Sequence, residues 1–285
     1  MTNASAAAST LGICGQPKID CHCHVLDPVH FPYGDDTFYR PSGQETGTAR
    51  QLAQMHDAYG IRYGLIVGPN SGYENDNRCL LDALARGDGR YKGIAVVPND
   101  VTRDVLIALR AQGVVGVAFN ATHHGVERYL AAGDLLRHLR ALDMCVSLQV
   151  WKDQLVALAP LFERTGVPLL IDHCGRPSPA DGLSQPGFQA LLRLGRARRA
   201  LVKLSGYTKF SRDAHPYDDL VPYVEALVDA FTPDGCLWAS DWPFLRAPSR
   251  VDVGPLLTLV ERFVPDASDR RKILWETPRR ALGFG

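Results

Sequence analysis

The stretch MCVSLQVWKDQLVALAPLFERTGVPLLID, residues 144–172, holds one complete strand–helix–strand unit. Residues 144–149 and 168–172 are short, largely apolar runs, as expected of strands buried on both faces. Between them, residues 153–164 carry apolar side chains at helical spacing, and Gly166 stands where a helix would end. Working outward, the same alternation recurs on both sides. Further strands are predicted over 18–22, 63–67, 91–97, 114–119, 201–205 and 236–240. Further helices are predicted over 48–59, 77–86, 101–112, 133–142, 187–196, 217–231 and 255–263. Eight strands, each followed by a helix, predict an α/β protein with a single (β/α)8 barrel, a TIM barrel. No strand runs into a Gly-x-Gly-x-x-Gly turn, so an open doubly wound sheet lacks its usual signature.

The 285 residues suffice for one such barrel, expected over 18–285, with residues 1–17 as a flexible N-terminal tail. Lysine and arginine total 31, as do aspartate and glutamate, and no basic excess points to nucleic acid. The arginines at 193, 196, 198 and 199 read as a solvated helix face. No apolar run has membrane-spanning length, and the N-terminus lacks a signal-peptide pattern. Seven cysteines without a C-x-x-C pair suggest a reducing, cytoplasmic setting rather than a disulfide framework. Three long connections, 28–47, 176–186 and 206–216, all follow strands and therefore fall on the face where barrel active sites form.

The polar residues that end the strands are the candidates for chemistry. Strict strand alternation puts His22 and His24 on one face and Cys21 and Cys23 on the other. Either pair could grip a metal ion, and histidines can also simply satisfy hydrogen bonds. Strand six ends in Asp172-His173, strand eight in Ser240-Asp241. An apolar strand running into such groups needs partners or a task for them. Asp172 reads equally as a structural partner, whereas Asp241 can accept a proton from water or bind metal.

These residues resemble the amidohydrolase superfamily, in particular its 2-pyrone-4,6-dicarboxylate hydrolase and sugar-lactonase group. The resemblance rests on His22 and His24, the segment Ile171-Asp172-His173-Cys174-Gly175-Arg176-Pro177, Lys203-Leu204-Ser205-Gly206, and Ser240-Asp241-Trp242-Pro243. It extends from about Lys18 to the end, including Tyr73-Glu74-Asn75-Asp76-Asn77 and the segment beginning Thr277-Pro278. It implies a distorted barrel, with Asp241 as general base and His22, His24 and His173 polarising a lactone carbonyl. The same four residues would hold an optional or weakly bound divalent metal, zinc being the example, with no organic cofactor. Strictly zinc-dependent members carry another histidine after strand five, where this chain has Gln149.

The implied activity is hydrolysis of a carboxylic ester bond, opening a small anionic lactone of the kind met in aromatic compound catabolism. The ring would be 2-pyrone-dicarboxylate-, muconolactone- or aldonolactone-like. Ala118 stands where the 2-pyrone hydrolase has a substrate-binding arginine, and His123 and His124 are candidates to replace it. Arg176, Asn77, Asn120, Gln149, Tyr207 and Lys209 are the expected substrate-binding residues, with Arg212 and Arg246 as further cations on these loops. A metal-dependent decarboxylase of the same superfamily is the alternative, and a non-catalytic binding barrel using residues 21–24 is a third reading. Association into a homo-oligomer is compatible with the sequence.

Overall fold

The computed structural model describes residues 12–285. Eight parallel strands pair in sequence order: β1 Lys18–Cys23, β2 Ile61–Val67, β3 Tyr91–Ala95, β4 Val114–Asn120, β5 Cys145–Gln149, β6 Leu169–Ile171, β7 Leu201–Leu204 and β8 Cys236–Trp238. The major helices between and after them are α1 Ala49–Ala58, α2 Arg78–Arg86, α3 Arg103–Ala111, α4 Gly133–Ala141, α5 Gln154–Thr165, α6 Pro186–Arg196, α7 Val221–Phe231 and α8 Val253–Phe263. This is the (β/α)8 barrel expected from the alternation. Thr48 and Gln51 form a reciprocal capping box on α1, and Gly166 closes α5 in the left-handed conformation.

Most boundaries shift by one or two residues and the start of α7 by four, and two of these shifts have clear local reasons. β3 stops at Ala95 because the Asn77 side chain takes over the Val96 N–H and carbonyl at 3.0 and 2.8 Å. α7 begins at Val221 rather than 217, since Tyr217 is left-handed and Asp218–Leu220 winds as a 3-10 turn. Residues 1–11 of the expected tail lie outside the described residues. From Gly12 the chain is packed: Gly12–Gly15 is a helical turn with Ile13 buried in the core. The buried Lys18 ammonium donates to the carbonyls of Cys14, Gln16 and Tyr59.

Two layers of core hold the barrel. Ile19, Cys21, Leu65, Ile94, Leu170 and Leu237 fill its interior, while residues such as Leu52, Ile66, Leu106, Val146 and Leu227 pack between strands and helices. Leu282 and Phe284 plug the lower opening, Phe284 stacked on Tyr63 with ring centroids 5.0 Å apart. Lys92 holds that plug by donating to the carbonyls of Leu282 and Gly283.

The strand ladder runs from β1 to β8, and the seam between those two is closed differently. Backbone bonds run from Asp241 N to the His22 carbonyl and from His24 N to the Trp242 carbonyl, both 2.8 Å. Below them the Asp20 carboxylate accepts from Ser240 N at 2.9 Å and from the Ser240 hydroxyl, and lies 3.3 Å from His56 Nε2. Among the described residues, no helix is long and apolar enough to cross a membrane, and all seven cysteines are free.

Candidate active site

A bulge in β1 decides which side chains reach the barrel mouth. Asp20 pairs with Gly64 but Cys23 with Ile66, so three steps of β1 match two of β2. The extra residue breaks the alternation expected from the sequence. Cys21 packs inside the barrel with Ile19, and Cys23 packs outside it, against the helices. The two cysteines therefore do not share a face, and burial pushes both thiols up, which removes the thiolate pair as a ligand set. His22 and His24, in contrast, both line the cleft.

His173 and Asp241 join them from the ends of β6 and β8. Both sit at positive φ, 52° and 60°, a region costly for residues with a side chain and found at sites the surrounding structure constrains. Asp241 Oδ1 is the focus. The Nε2 atoms of His173, His24 and His22 lie 3.6, 3.7 and 3.9 Å from it, too far to hydrogen-bond. Oδ1 is buried and has no hydrogen-bond partner, while Oδ2 is held by Lys209 Nζ at 2.9 Å. Burial alone would raise this carboxyl, but the Lys209 ammonium holds it well below the usual carboxylate range. It is an ionised base with one oxygen left free.

The imidazoles are oriented from behind. His24 Nδ1 meets the Val67 carbonyl at 2.8 Å, which places a proton there and turns Nε2 toward Asp241. His173 Nδ1 meets the Ser205 hydroxyl at 3.0 Å. Gly206 follows at φ 64°, and a Cβ on it would lie 2.5 Å from the His173 ring. His22 Nδ1 lies 3.2 Å from Lys203 Nζ and 3.4 Å from Asp172 Oδ1. It can accept from the ammonium, leaving a proton on Nε2, or donate to the carboxylate, leaving Nε2 bare. Burial, reinforced at His22 by Lys203, lowers the pKa of His22 and His173, so both rings are neutral near pH 7.

Beneath the rings lies a buried network. Lys203 Nζ donates to Asp172 Oδ1 at 2.8 Å and to Ser147 Oγ at 2.7 Å, and Ser147 donates to Asp172 at 2.7 Å. Burial raises Asp172, yet the Lys203 ammonium outweighs it and holds the carboxyl well below its usual range. The sequence pattern marked Lys203 only as part of a resemblance and passed over Ser147. The available signal was a lysine inside the apolar run Leu201–Leu204, where a buried charge needs a partner.

A family model described as Amidohydrolase matches residues 19–284. The chain belongs to this family. It is 34% identical over 271 residues to the 4-sulfomuconolactone hydrolase of Hydrogenophaga intermedia, covering 93% of this chain and 88% of that protein. It is 36% identical over 278 residues to the enzyme of the same name from Rhizobium radiobacter, covering 93% and 89%. Among solved structures it resembles an assigned 2-pyrone-4,6-dicarboxylic acid hydrolase from Acinetobacter baumannii, with citric acid bound. That match has a TM-score of 0.83 at 25% identity, covering 94% of this chain and 99% of the other.

The mouth of this amidohydrolase is a cleft of about 550 Å3. Arg176, Lys209, Arg246, Asn120, Gln149 and Ala118 all line it, as expected of the loops after the strands. Lys209 is already engaged with Asp241 and the Leu245 carbonyl. Arg176 has no carboxylate partner among the described residues, and its buried Nε is unpaired. Gln149 donates to Thr122 Oγ1 at 3.1 Å, and Asn120 caps the turn Ala121–His124. Two expected substrate contacts are not in the cleft. Tyr207 is buried against Phe263 and Tyr217, so it packs in the core rather than facing a substrate. Asn77 serves the backbone of Val96. Arg212 is absent from the cleft lining too, its backbone N–H bonded to Asp219.

The donor set of this amidohydrolase fits a divalent ion. Asp241 Oδ1 and His24 Nε2 face each other at 3.7 Å without a hydrogen bond, and a cation between them satisfies both. His22, His173 and Asp241 offer ligand atoms within 4.8 Å of one another, and His24 approaches the same carboxylate oxygen, a nitrogen-rich set suited to zinc. The carbonyl behind His24 and the hydroxyl behind His173 are the kind of outer partners that orient metal-binding imidazoles.

Proposed function

We propose that this amidohydrolase opens a small anionic lactone with an activated water, Asp241 acting as general base. The observation that carries the reading is the free Asp241 Oδ1 ringed by three imidazoles. One water can donate its two hydrogens to that oxygen and to His24 Nε2, leaving its own lone pair aimed into the cleft. The relatives named as 4-sulfomuconolactone hydrolases support the substrate class.

The water oxygen bonds to the lactone carbonyl carbon as its proton passes to Asp241. The carbonyl oxygen becomes an oxyanion, which N–H groups of His22 and His173 stabilise. Collapse breaks the ring C–O bond, and the proton held by Asp241 goes to the departing oxygen, giving an open hydroxy acid. Arg176, with Arg246 further out, binds the carboxylate or other anionic substituent of the ring. Asn120 and Gln149 face the same substrate with amide groups. Lys209 positions Asp241 rather than the substrate.

A divalent metal, zinc for example, would be held by His22, His24, His173 and Asp241 as an optional, weakly bound ion. When bound it would supply Lewis-acid polarisation of the carbonyl. The two hydrogen-bond choices open to His22 Nδ1 support this option, since one leaves a proton and the other a lone pair on Nε2. Activity before and after chelation, alongside metal analysis, tests it: complete and reversible loss on chelation would make the ion obligatory. The protein works in a reducing cytoplasmic setting, in keeping with its free thiols.

The deciding experiment follows proton release across muconolactones, 2-pyrone-4,6-dicarboxylate and aldonolactones. Turnover is expected for an anionic lactone. No turnover on the panel, with decarboxylation of a carboxylated aromatic instead, would overturn the reading.

A further inference from the structure

We propose that Glu74, His123 and His124 form a second divalent-metal site at the rim of the cleft, separate from the catalytic group. Glu74 lies in the loop after β2, at φ 48°, and the two histidines lie in the turn Ala121–His124 after β4. Glu74 Oε1 is 3.5 Å from His123 Nε2, and Glu74 Oε2 is 3.6 Å from His124 Nε2. Both separations are too long for hydrogen bonds, so the carboxylate faces two ring nitrogens without bonding either. Two ligands at tetrahedral angles on zinc, with bonds of ~2.0–2.1 Å, stand ~3.4 Å apart. One ion between these three side chains therefore needs little movement.

The surroundings hold the three groups in place. Asn70 Nδ2 lies 3.3 Å from His124 Nε2, and turning that amide aside frees the nitrogen's single lone pair for an ion. Glu74, His123 and His124 each offer a ligand atom, and these atoms lie within 4.8 Å of one another. His123 is fixed by Phe38, stacked on it with centroids 3.5 Å apart, and its backbone N–H is bound by Asn120. Arg128 is the nearby cation that opposes a bound ion, and Glu74 is the charge that favours it. Two neutral imidazoles and one carboxylate suit zinc or a similar borderline ion. Side-chain exposures of 34, 26 and 17% leave room for water to complete its coordination.

Bound there, the ion ties the loop after β2 to the loop after β4 and steadies the Phe38–His123 wall of the cleft. The sequence suggested these histidines as substitutes for a substrate arginine. Their Nε2 atoms turn to Glu74 instead.

Cobalt(II) reports the site directly through its visible ligand-field absorption. The test uses Asp241→Asn with His173→Ala, which dismantles the catalytic group. This variant is expected to bind one cobalt ion per chain, and adding Glu74→Gln or His124→Ala is expected to abolish that absorption. In the otherwise unaltered protein, Glu74→Gln should lower the bound-metal count by one ion, so the result does not hinge on the double variant folding. No cobalt uptake by the folded double variant, or undiminished uptake after both rim substitutions, would overturn the proposal. Neither readout depends on lactone turnover.

Discussion

Single atoms decide the chemistry here. Asp241 keeps one oxygen tied to Lys209 and the other bare, so replacing it with asparagine preserves shape while removing the proposed proton acceptor. Asp241→Asn should lower kcat by roughly 10²–10⁴-fold with an unchanged circular dichroism spectrum. Lys203 is of another kind, because it touches no substrate and neutralises Asp172 beneath His22. Lys203→Met leaves that carboxylate buried and unpaired, at a cost of roughly 3–5 kcal/mol measured by urea unfolding. At this scale the sequence disclosed the four residues of the mouth, since polar groups ending apolar strands are conspicuous. It did not disclose the direction of Tyr207 or Asn77, because loop residues point where packing sends them.

At the scale of elements, the alternation of strands and helices was legible to within a few residues, since each buried strand and each helix has its own spacing. The bulge in β1 was not. A period-two pattern has no mark for an inserted residue, and only the register against β2 reveals that Cys21 and Cys23 part company. The turn after β7 carries its own prediction. Gly206 abuts the His173 ring at positive φ, so Gly206→Ala both strains the backbone and displaces the ring. Turnover should fall about 10²-fold, as expected for ~1 Å of misplacement at a reacting group. Steady-state kinetics check this, and an unchanged rate would show that His173 does not need its present position.

The whole molecule has an acid-sensitive balance. His22 and His173 are lowered by burial, whereas their unfolded counterparts titrate near ~6.5. Below that pH the unfolded chain binds more protons than the folded one, so stability falls as pH falls. Asp172 and Asp241, lowered in the fold despite their burial, add a second loss as pH drops below the unfolded value of ~3.9. Thermal melts should show Tm decreasing in both windows. The kcat/KM profile, by contrast, should show no acid limb at ~6.5, because those rings are already neutral in the folded enzyme. An inflection there would assign the essential group elsewhere.

The seam between β1 and β8 also has a consequence in time. His22 and Asp241 come from opposite ends of the chain, and Asp20 meets Ser240 across 220 positions of sequence. Contacts of such separation carry the largest loop-closure entropy and form late. During refolding, intermediates can hold most of the βα units packed while the catalytic group is still in two halves. Recovery of lactone turnover should therefore lag behind recovery of helical circular dichroism, making activity a clock for the last join in the ring.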